Sequence, residues 1–169
     1  MAALRSGQLD YRRGATSLDS IESLQRTNPE IAVHPIYFRS SDSFAPNHRV
    51  PPFNDINVRR ALQMALDNEN VAGTYWKGWA NPTPHGLVGL QGYYIPFEEW
   101  DEEVKQYYRY DPEGAEKLLD EAGYPRDPDT GVRFKINHDH VQPDDLGYAE
   151  IAVGYWAAIG VDVEIDIYE

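Results

Sequence analysis

The sequence has no cysteine, few basic residues and no long apolar run. Its 169 residues include 15 Lys and Arg against 28 Asp and Glu, a formal net charge of −13. Without cysteine there is no disulfide scaffold, thiolate zinc site or cysteine nucleophile. An acidic chain is repelled by nucleic-acid phosphates, so we expect no nucleic-acid partner. Since no stretch approaches eighteen consecutive apolar residues, the sequence predicts no membrane-spanning helix.

Hydrophobic and aromatic residues are nevertheless abundant. They make up 41% and 12% of the chain, which is too much for an acidic disordered protein. The length suits one compact domain. The sequence therefore predicts a folded domain with an apolar core.

The last third has the pattern of a strand, a helix and a second strand. Apolar and polar residues alternate over residues 132–137 and 161–168, and apolar residues at helical spacing fill residues 146–159. This order predicts a βαβ unit with two parallel strands, and hence an α/β fold. If the strands are neighbours, Arg133 and Lys135 share a face with the acidic residues of the second strand, which are Asp162, Glu164 and Asp166.

Other elements are predicted earlier in the chain. Helices are expected over residues 17–26, from a cap at Asn54 or Asp55, and from Asp111 to a terminating Gly123. Gly114 lies inside the last of these helices, where it costs roughly 0.5–1 kcal/mol relative to alanine. The β-branched and aromatic residues at 30–39 favour a strand.

A polar cluster follows the first strand of the βαβ unit. It contains His138, Asp139 and His140, and then Gln142 and Asp144. Two histidines at i and i+2 could bind a metal ion, but no third ligand stands at a matching spacing, so the sequence favours a polar loop and no metal. The place is still notable because ligands bind outside the carboxyl ends of strands in open α/β sheets.

Signals for an enzyme are weak. The sequence has no Gly-x-Ser-x-Gly elbow, and its glycines at 86, 89 and 92 lack the strand and helix of a phosphate-binding loop. A small metal-dependent hydrolase using His138, His140 and Asp144 remains an alternative. We expect no catalytic residue and no cofactor.

Ten aromatic residues concentrate in the irregular region from 74 to 110. Such side chains suit the recognition of peptides or sugars, but they also pack irregular segments onto a domain, and packing is the better interpretation for most of them. Tyr93 and Tyr94 are the candidates for ligand contact. A second alternative is that the whole region is a docking patch for another protein. The aromatic residues are Tyr75, Trp76, Trp79, Tyr93, Tyr94, Phe97, Trp100, Tyr107, Tyr108 and Tyr110.

Four segments of the chain have the form of family motifs. They are ALRSGQLDY at residues 3–11, PPFNDINVRRALQMALD at 51–67, YDPEGAEKLLDEAGY at 110–124 and IGVDVE at 159–164. In this order they resemble segments of the extracellular solute-binding proteins of family 5, the peptide receptors of ABC importers, whose signature PPFxDxxVRxALxxAID corresponds to residues 51–67. Together they extend over nearly the whole chain.

The resemblance implies a partial type II periplasmic-binding-protein-like fold in an internal fragment of the C-terminal lobe. Residues 1–29 would be a segment that crosses between the lobes, and residues 30–169 a partial C-terminal lobe. A receptor of this family captures a peptide or similar small solute outside the membrane and delivers it to ABC permease subunits. We therefore expect a periplasmic or extracellular location within a longer exported protein, whether free or lipid-anchored.

The resemblance also implies that only part of the binding site lies in this chain. Its candidates are His138, Asp139, His140, Gln142 and Asp144, because this loop faces the cleft in the family, and then Tyr93 and Tyr94. The missing sheet neighbours imply an exposed strand edge, so we expect that the fragment can self-associate there. The sequence does not identify the solute.

Overall fold

The computed structural model describes residues 1–13, 17–34, 43–83, 92–140 and 146–168. Seven α-helices and two strands lie in these ranges, with short 3₁₀ turns at Phe97–Glu99 and Gln106–Tyr108. The order is α1 (Ala2–Arg5), α2 (Leu18–Thr27), α3 (Ile56–Met64), α4 (Asn68–Thr74), α5 (Glu102–Lys105), α6 (Pro112–Glu121), β1 (Phe134–His140), α7 (Leu146–Ala158) and β2 (Val161–Ile167).

Helices α3, α6 and α7 pack with the sheet around one core. Val58 and Ala61 of α3, Leu119 of α6 and Ala152 of α7 are completely buried. Trp156 of α7 is 4% exposed, and its indole N–H donates a 2.9 Å hydrogen bond to a backbone carbonyl of α3. The predicted apolar stripe of α7 is confirmed, because all of its members are buried: Ala149, Ala152, Trp156 and Ile159.

Side-chain caps explain where the helices begin. Ser17, Asp55 and Asp111 accept hydrogen bonds from backbone N–H groups in the first turns of α2, α3 and α6. Pro112 occupies the first turn of α6, and Gly123 follows that helix with a φ of 85°. The predicted caps at both ends of α6 are thus confirmed.

The two strands are parallel and adjacent, as the charge pattern predicts. Phe134 pairs with Val161 and His140 with Ile167 at the two ends of the ladder. Lys135 lies opposite Asp162, and its ammonium group is 2.8 Å from that carboxylate. Within the described ranges the sheet has two strands, so the outer edge of each is unpaired there.

Arg133 corrects the expectation that it shares the acidic face of β2. It precedes β1, its side chain is 2% exposed, and it contacts Glu116 at 2.9 Å together with Asp120, both on α6. It also donates to the backbone carbonyls of Tyr124 at 2.7 Å and Ile159 at 3.0 Å. A guanidinium has five N–H donors, so it can bond to all four of these acceptors. The buried position is favoured because the acidic face of β2 would supply fewer partners.

Two predicted strand bounds also need correction. Residues 30–34 contain turns and irregular structure, because the Ile31 N–H turns back to the Asn28 carbonyl at 3.0 Å. The remainder of that predicted strand, residues 35–39, lies outside the described residues. β1 begins at Phe134 and extends to His140, three residues beyond its predicted end, because β2 offers pairing partners as far as Ile167.

In the described part of the chain, no helix has the length and hydropathy needed to cross a membrane.

Candidate functional site

The polar cluster predicted as a loop begins inside β1. His138, Asp139 and His140 are the last three residues of the strand and pair with residues 165–167 of β2. They therefore occupy the carboxyl end of the parallel sheet, the end that usually faces a ligand. Gln142 and Asp144 lie outside the described residues.

The two histidines share one face of β1. Side chains alternate along a strand, so His138 and His140 lie on the same side as the buried Ile136. His138 Nε2 and His140 Nδ1 are 3.4 Å apart, and the ring centroids are separated by 5.6 Å. Both side chains are half-buried. The structure thus brings these two candidates into direct contact.

Asp139 is separated from the histidines by the same alternation. It is exposed on the opposite face, where its partner in the ladder is Asp166. The neighbouring Asn137 donates a 2.9 Å hydrogen bond to the Asp166 carboxylate. Two carboxylates opposite each other repel, so this face suits solvent or a cationic group better than another acid.

Burial lowers the pKa of His138 from its ordinary value of 6.5, and the nearby His140 lowers it further. Desolvation disfavours the charged imidazolium, and a second imidazole nearby acts in the same direction. The adjacent Asp139 opposes this change. His138 is therefore a neutral imidazole at pH 7, able to donate or accept one hydrogen bond at each nitrogen according to its tautomer.

Phe44 closes the apolar side of the histidine pair. Its ring meets His138 edge-on at a centroid distance of 5.1 Å and Trp156 at 4.7 Å. Tyr148 of α7 lies 5.6 Å from the same ring, and its hydroxyl donates a 3.0 Å hydrogen bond to Asn68. We call His138, His140, Phe44 and Tyr148 the histidine corner.

Sequence reasoning missed Phe44 and Tyr148. Phe44 lies in a proline-containing segment of the sequence, where no periodicity marks a side chain as inward-facing. Tyr148 lies on the predicted helix, but outside the apolar stripe that was identified there. The helical spacing of Tyr148 to Ala152 and Trp156 was the available signal.

The aromatic region mainly packs against itself and the domain, as the sequence favours. Trp100 contacts the rings of Phe97 and Tyr108, each at 5.4 Å, and donates to the Ile95 carbonyl at 3.0 Å. The guanidinium of Arg60 lies 4.1 Å from the centre of the Tyr107 ring.

The two tyrosines proposed for ligand contact differ in their burial. Tyr93 is 77% exposed, whereas Tyr94 is half-buried. Tyr93 is therefore accessible to a ligand or to a second lobe, and such a contact would bury a large aromatic side chain.

An open crevice lies between α1 and residues 30–32. Leu4, Leu9 and Ile31 supply apolar walls, while Arg5 and Asp10 supply charge. Arg5 already donates a 2.9 Å hydrogen bond to Ser23 on α2. That contact gives Arg5 a role in holding α1 near α2.

Comparison with known proteins identifies what the chain is similar to. The model of the family described as bacterial extracellular solute-binding proteins, family 5 Middle, matches residues 1–169. Heme-binding protein A of Haemophilus influenzae is 31% identical over 127 residues, which is 73% of this chain and 21% of that protein. The periplasmic oligopeptide-binding protein OppA of Escherichia coli is 25% identical over 173 residues, covering 95% of this chain and 29% of the relative.

A solved structure supports the same relationship. The periplasmic binding protein DppA from Helicobacter pylori, in complex with the peptide STSA, matches with a TM-score of 0.64 and 25% identity. The match covers 99% of this chain and 30% of that one. The fold is accordingly part of the type II periplasmic-binding-protein fold. The chain spans about a fifth to three tenths of the length of the curated relatives described above.

Proposed function

The chain belongs to the bacterial extracellular solute-binding proteins of family 5, and we propose that it forms part of the substrate-binding component of an ABC importer. The observation that carries this proposal is the family match over residues 1–169, to which the similarity with oligopeptide-binding and dipeptide-binding proteins adds support. The family is one of solute-binding proteins rather than enzymes, and the comparisons give the hydrolase alternative no support. We accordingly propose that the chain has no catalytic activity.

The proposed solute is a peptide or a similarly small molecule that is captured outside the membrane and passed to the permease subunits. Members of the family are periplasmic or extracellular, which is the location proposed here. We further propose that residues 1–29 cross between two lobes and that residues 30–169 belong to the second lobe. A two-lobed receptor closes about its ligand by a hinge motion, so the ligand touches both lobes.

The histidine corner is the proposed contribution of this chain to the solute site. It combines neutral imidazole, phenyl and phenol groups at the carboxyl end of a parallel sheet. Such mixed apolar and polar surfaces are typical of small-molecule sites, where a few polar groups orient a ligand against apolar walls. Tyr93 and Tyr94 are proposed as additional contacts.

Calorimetry on the full-length receptor tests this assignment. With a panel of short peptides as probes, His138→Ala combined with His140→Ala is expected to weaken the tightest binding several-fold, because the variant removes both imidazoles from the corner. His48→Ala is the matched control, since this histidine is exposed and far along the chain from β1. Unchanged affinity in the double variant would remove the histidine corner from the site.

The chain by itself provides a second test. A single lobe cannot enclose a ligand, and small-molecule sites generally bury at least 70–90% of the ligand surface. The 169-residue chain is therefore expected to bind the same peptides weakly or not at all. Micromolar or tighter binding to the isolated chain would contradict the two-lobed proposal.

The unpaired strand edges support a proposal about the isolated chain. Exposed backbone N–H and carbonyl groups at a sheet edge are a template for pairing with a second copy. Sedimentation velocity over a range of concentrations should then show reversible self-association. A monomer at every concentration would contradict it.

A further inference from the structure

The histidine pair on β1 has the geometry of two neighbouring metal ligands. His138 Nε2 and His140 Nδ1 approach to 3.4 Å, with the ring planes inclined at 62°. Two nitrogens bound to Zn²⁺ at 2.0–2.1 Å with a tetrahedral angle between them lie about 3.3–3.4 Å apart. The observed separation matches the separation that a shared metal ion requires, and it also fits the hydrogen bond between the two rings.

The surroundings hold this geometry in place. The edge-on contact with Phe44 at 5.1 Å restricts the ring of His138, and the backbone at His138 and His140 is fixed by the ladder to Ile165 and Ile167. The χ2 torsion of histidine has a broad minimum, so a small turn of either ring toward a shared ion costs little. A pair of imidazoles on alternate positions of a strand thus starts close to the bound arrangement.

The tautomers of the two rings also allow metal binding, because either nitrogen of a neutral imidazole can carry the proton. Metal ions bind the neutral imidazole and compete with protons for it. The short N···N contact is at present a hydrogen bond that needs one bridging proton, and a neutral ring can move this proton to its other nitrogen when a cation takes its place.

We propose that His138 and His140 form a two-nitrogen chelating site for a borderline divalent transition-metal ion, namely Cu²⁺, Ni²⁺ or Zn²⁺. Imidazole is a preferred ligand of all three, and Cu²⁺ binds most tightly in the usual order of affinities. Among the described residues no group of three histidine, cysteine, aspartate or glutamate side chains surrounds a common point. Water or a donor atom of a bound small molecule would complete the coordination of the ion.

This proposal differs from the expectation from the sequence, which rejected a metal because no third ligand was evident. A chelating pair needs no third protein ligand, only the correct spacing of its two nitrogens. The spacing depends on both rings lying on one face of a strand, whereas the sequence placed them in a loop. The metal site shares His138 and His140 with the proposed solute site, but it is tested by metal affinity alone and does not depend on which solute the receptor carries.

Calorimetric titration of the untagged, chelator-treated chain with CuCl₂, NiCl₂ or ZnCl₂ at pH 7.5 tests the proposal. One ion per chain is expected, with Cu²⁺ bound most tightly and Mg²⁺ not bound, since Mg²⁺ prefers oxygen ligands. His138→Gln and His140→Gln should each weaken binding at least about tenfold, equivalent to 1.4 kcal/mol. His34→Ala and His48→Ala remove exposed histidines elsewhere and should change nothing.

Electron paramagnetic resonance of the Cu²⁺ complex supplies a direct count of the nitrogen ligands. Nitrogen hyperfine splitting from two imidazoles is expected in the unaltered chain and from one in either glutamine variant, with far-UV circular dichroism confirming that each variant is folded. Three results would overturn the proposal: no binding of any of the three ions, affinity that neither variant changes, or an equal loss in a control variant. Peptide binding by the full-length receptor is measured separately, so failure of the metal site leaves the transport proposal standing.

Discussion

Replacing Arg133 by alanine is expected to destabilise the fold by about 3 kcal/mol, far more than replacing its neighbour Lys135. The Arg133 side chain is 2% exposed. It contacts Glu116 and Asp120 on α6 and donates to the backbone carbonyls of Tyr124, which follows α6, and Ile159, which follows α7. Breaking a buried ion pair by removing one partner costs about 3–5 kcal/mol. The low end applies because both carboxylates reach solvent, at 37% and 57% exposure, and can be rehydrated.

Lys135→Ala is the matched control two residues away. Its side chain is 78% exposed and makes an ion pair of 2.8 Å with Asp162, whose side chain is 45% exposed. Exposed pairs of this kind contribute little to stability because solvent screens them. The two variants therefore remove the same formal charge from nearly the same place but differ in the burial of what they remove.

Urea denaturation followed by tryptophan fluorescence measures both effects, with Trp156 as a buried reporter. In thermal unfolding of a chain of this size, the same loss of about 3 kcal/mol lowers the melting temperature by roughly 6–12 °C. Arg133→Lys should recover only part of the loss, because an ammonium group cannot reach four acceptors in a planar fork. If Arg133→Ala destabilises the chain no more than Lys135→Ala does, the reasoning from burial is wrong.

Four further variants probe the turns, the core and the histidine corner. Gly123 and Gly160 both have a φ of 85°, but a Cβ at Gly160 would lie 2.9 Å from a backbone carbonyl oxygen, whereas one at Gly123 would meet open space. Thermal unfolding should therefore show that Gly123→Ala lowers the free energy of unfolding by about 1–2 kcal/mol and that Gly160→Ala lowers it clearly more. Trp156→Phe leaves a buried carbonyl of α3 without its 2.9 Å donor, so chemical denaturation should report a loss of about 1–3 kcal/mol. The pKa of His138 is lower in the folded chain than its ordinary 6.5. The unfolded chain therefore binds more protons below that pH, and stability should fall on acidification below about pH 6.5. The melting temperature of His138→Gln should depend less steeply on pH in that range, and equal slopes would contradict this.

Local sequence signals predicted the C-terminal βαβ unit well because each of its elements has its own signal. The apolar stripe of α7 repeats with a helical period, and the Asp111 cap, Pro112 and Gly123 mark both ends of α6. The opposite charges of Lys135 and Asp162 predicted the strand adjacency. These signals depend on neighbours within a few residues, which a sequence shows directly.

The bounds of β1 were wrong because its core face changes chemistry along the strand. Phe134 and Ile136 give an apolar alternation, and the same face then continues with His138 and His140, which read as polar loop residues. The information was present in β2, whose apolar alternation extends to Ile167. Because β2 continues to Ile167, it offers the pairing partners that extend β1 to His140.

Arg133 and Gly114 show what local patterns cannot predict. The four acceptors of Arg133 come from three segments, and only tertiary packing assembles them. Gly114 looks unfavourable inside a helix, but a Cβ there would lie 2.3 Å from the Asp111 carboxylate and 2.7 Å from the Met64 side chain. The glycine is required by the close approach of α3 and the Asp111 cap, so its propensity cost is offset by contacts that the sequence does not reveal.

The two ends of the sheet therefore have different roles. At the amino end, Arg133 is enclosed and bonded to carboxylates and carbonyls, and in the described part of the chain no buried side-chain nitrogen or oxygen lacks a hydrogen-bond partner. At the carboxyl end, the core face of β1 continues into two half-buried imidazoles that are not covered as Ile136 is. Because the polar groups at the first end are satisfied within the fold, variants there should change the free energy of unfolding. Because those at the second end retain access to solvent, variants there should change binding with little effect on unfolding at neutral pH. Measuring both quantities for Arg133→Lys and His140→Gln would separate the two roles, and equal effects on unfolding would refute the division.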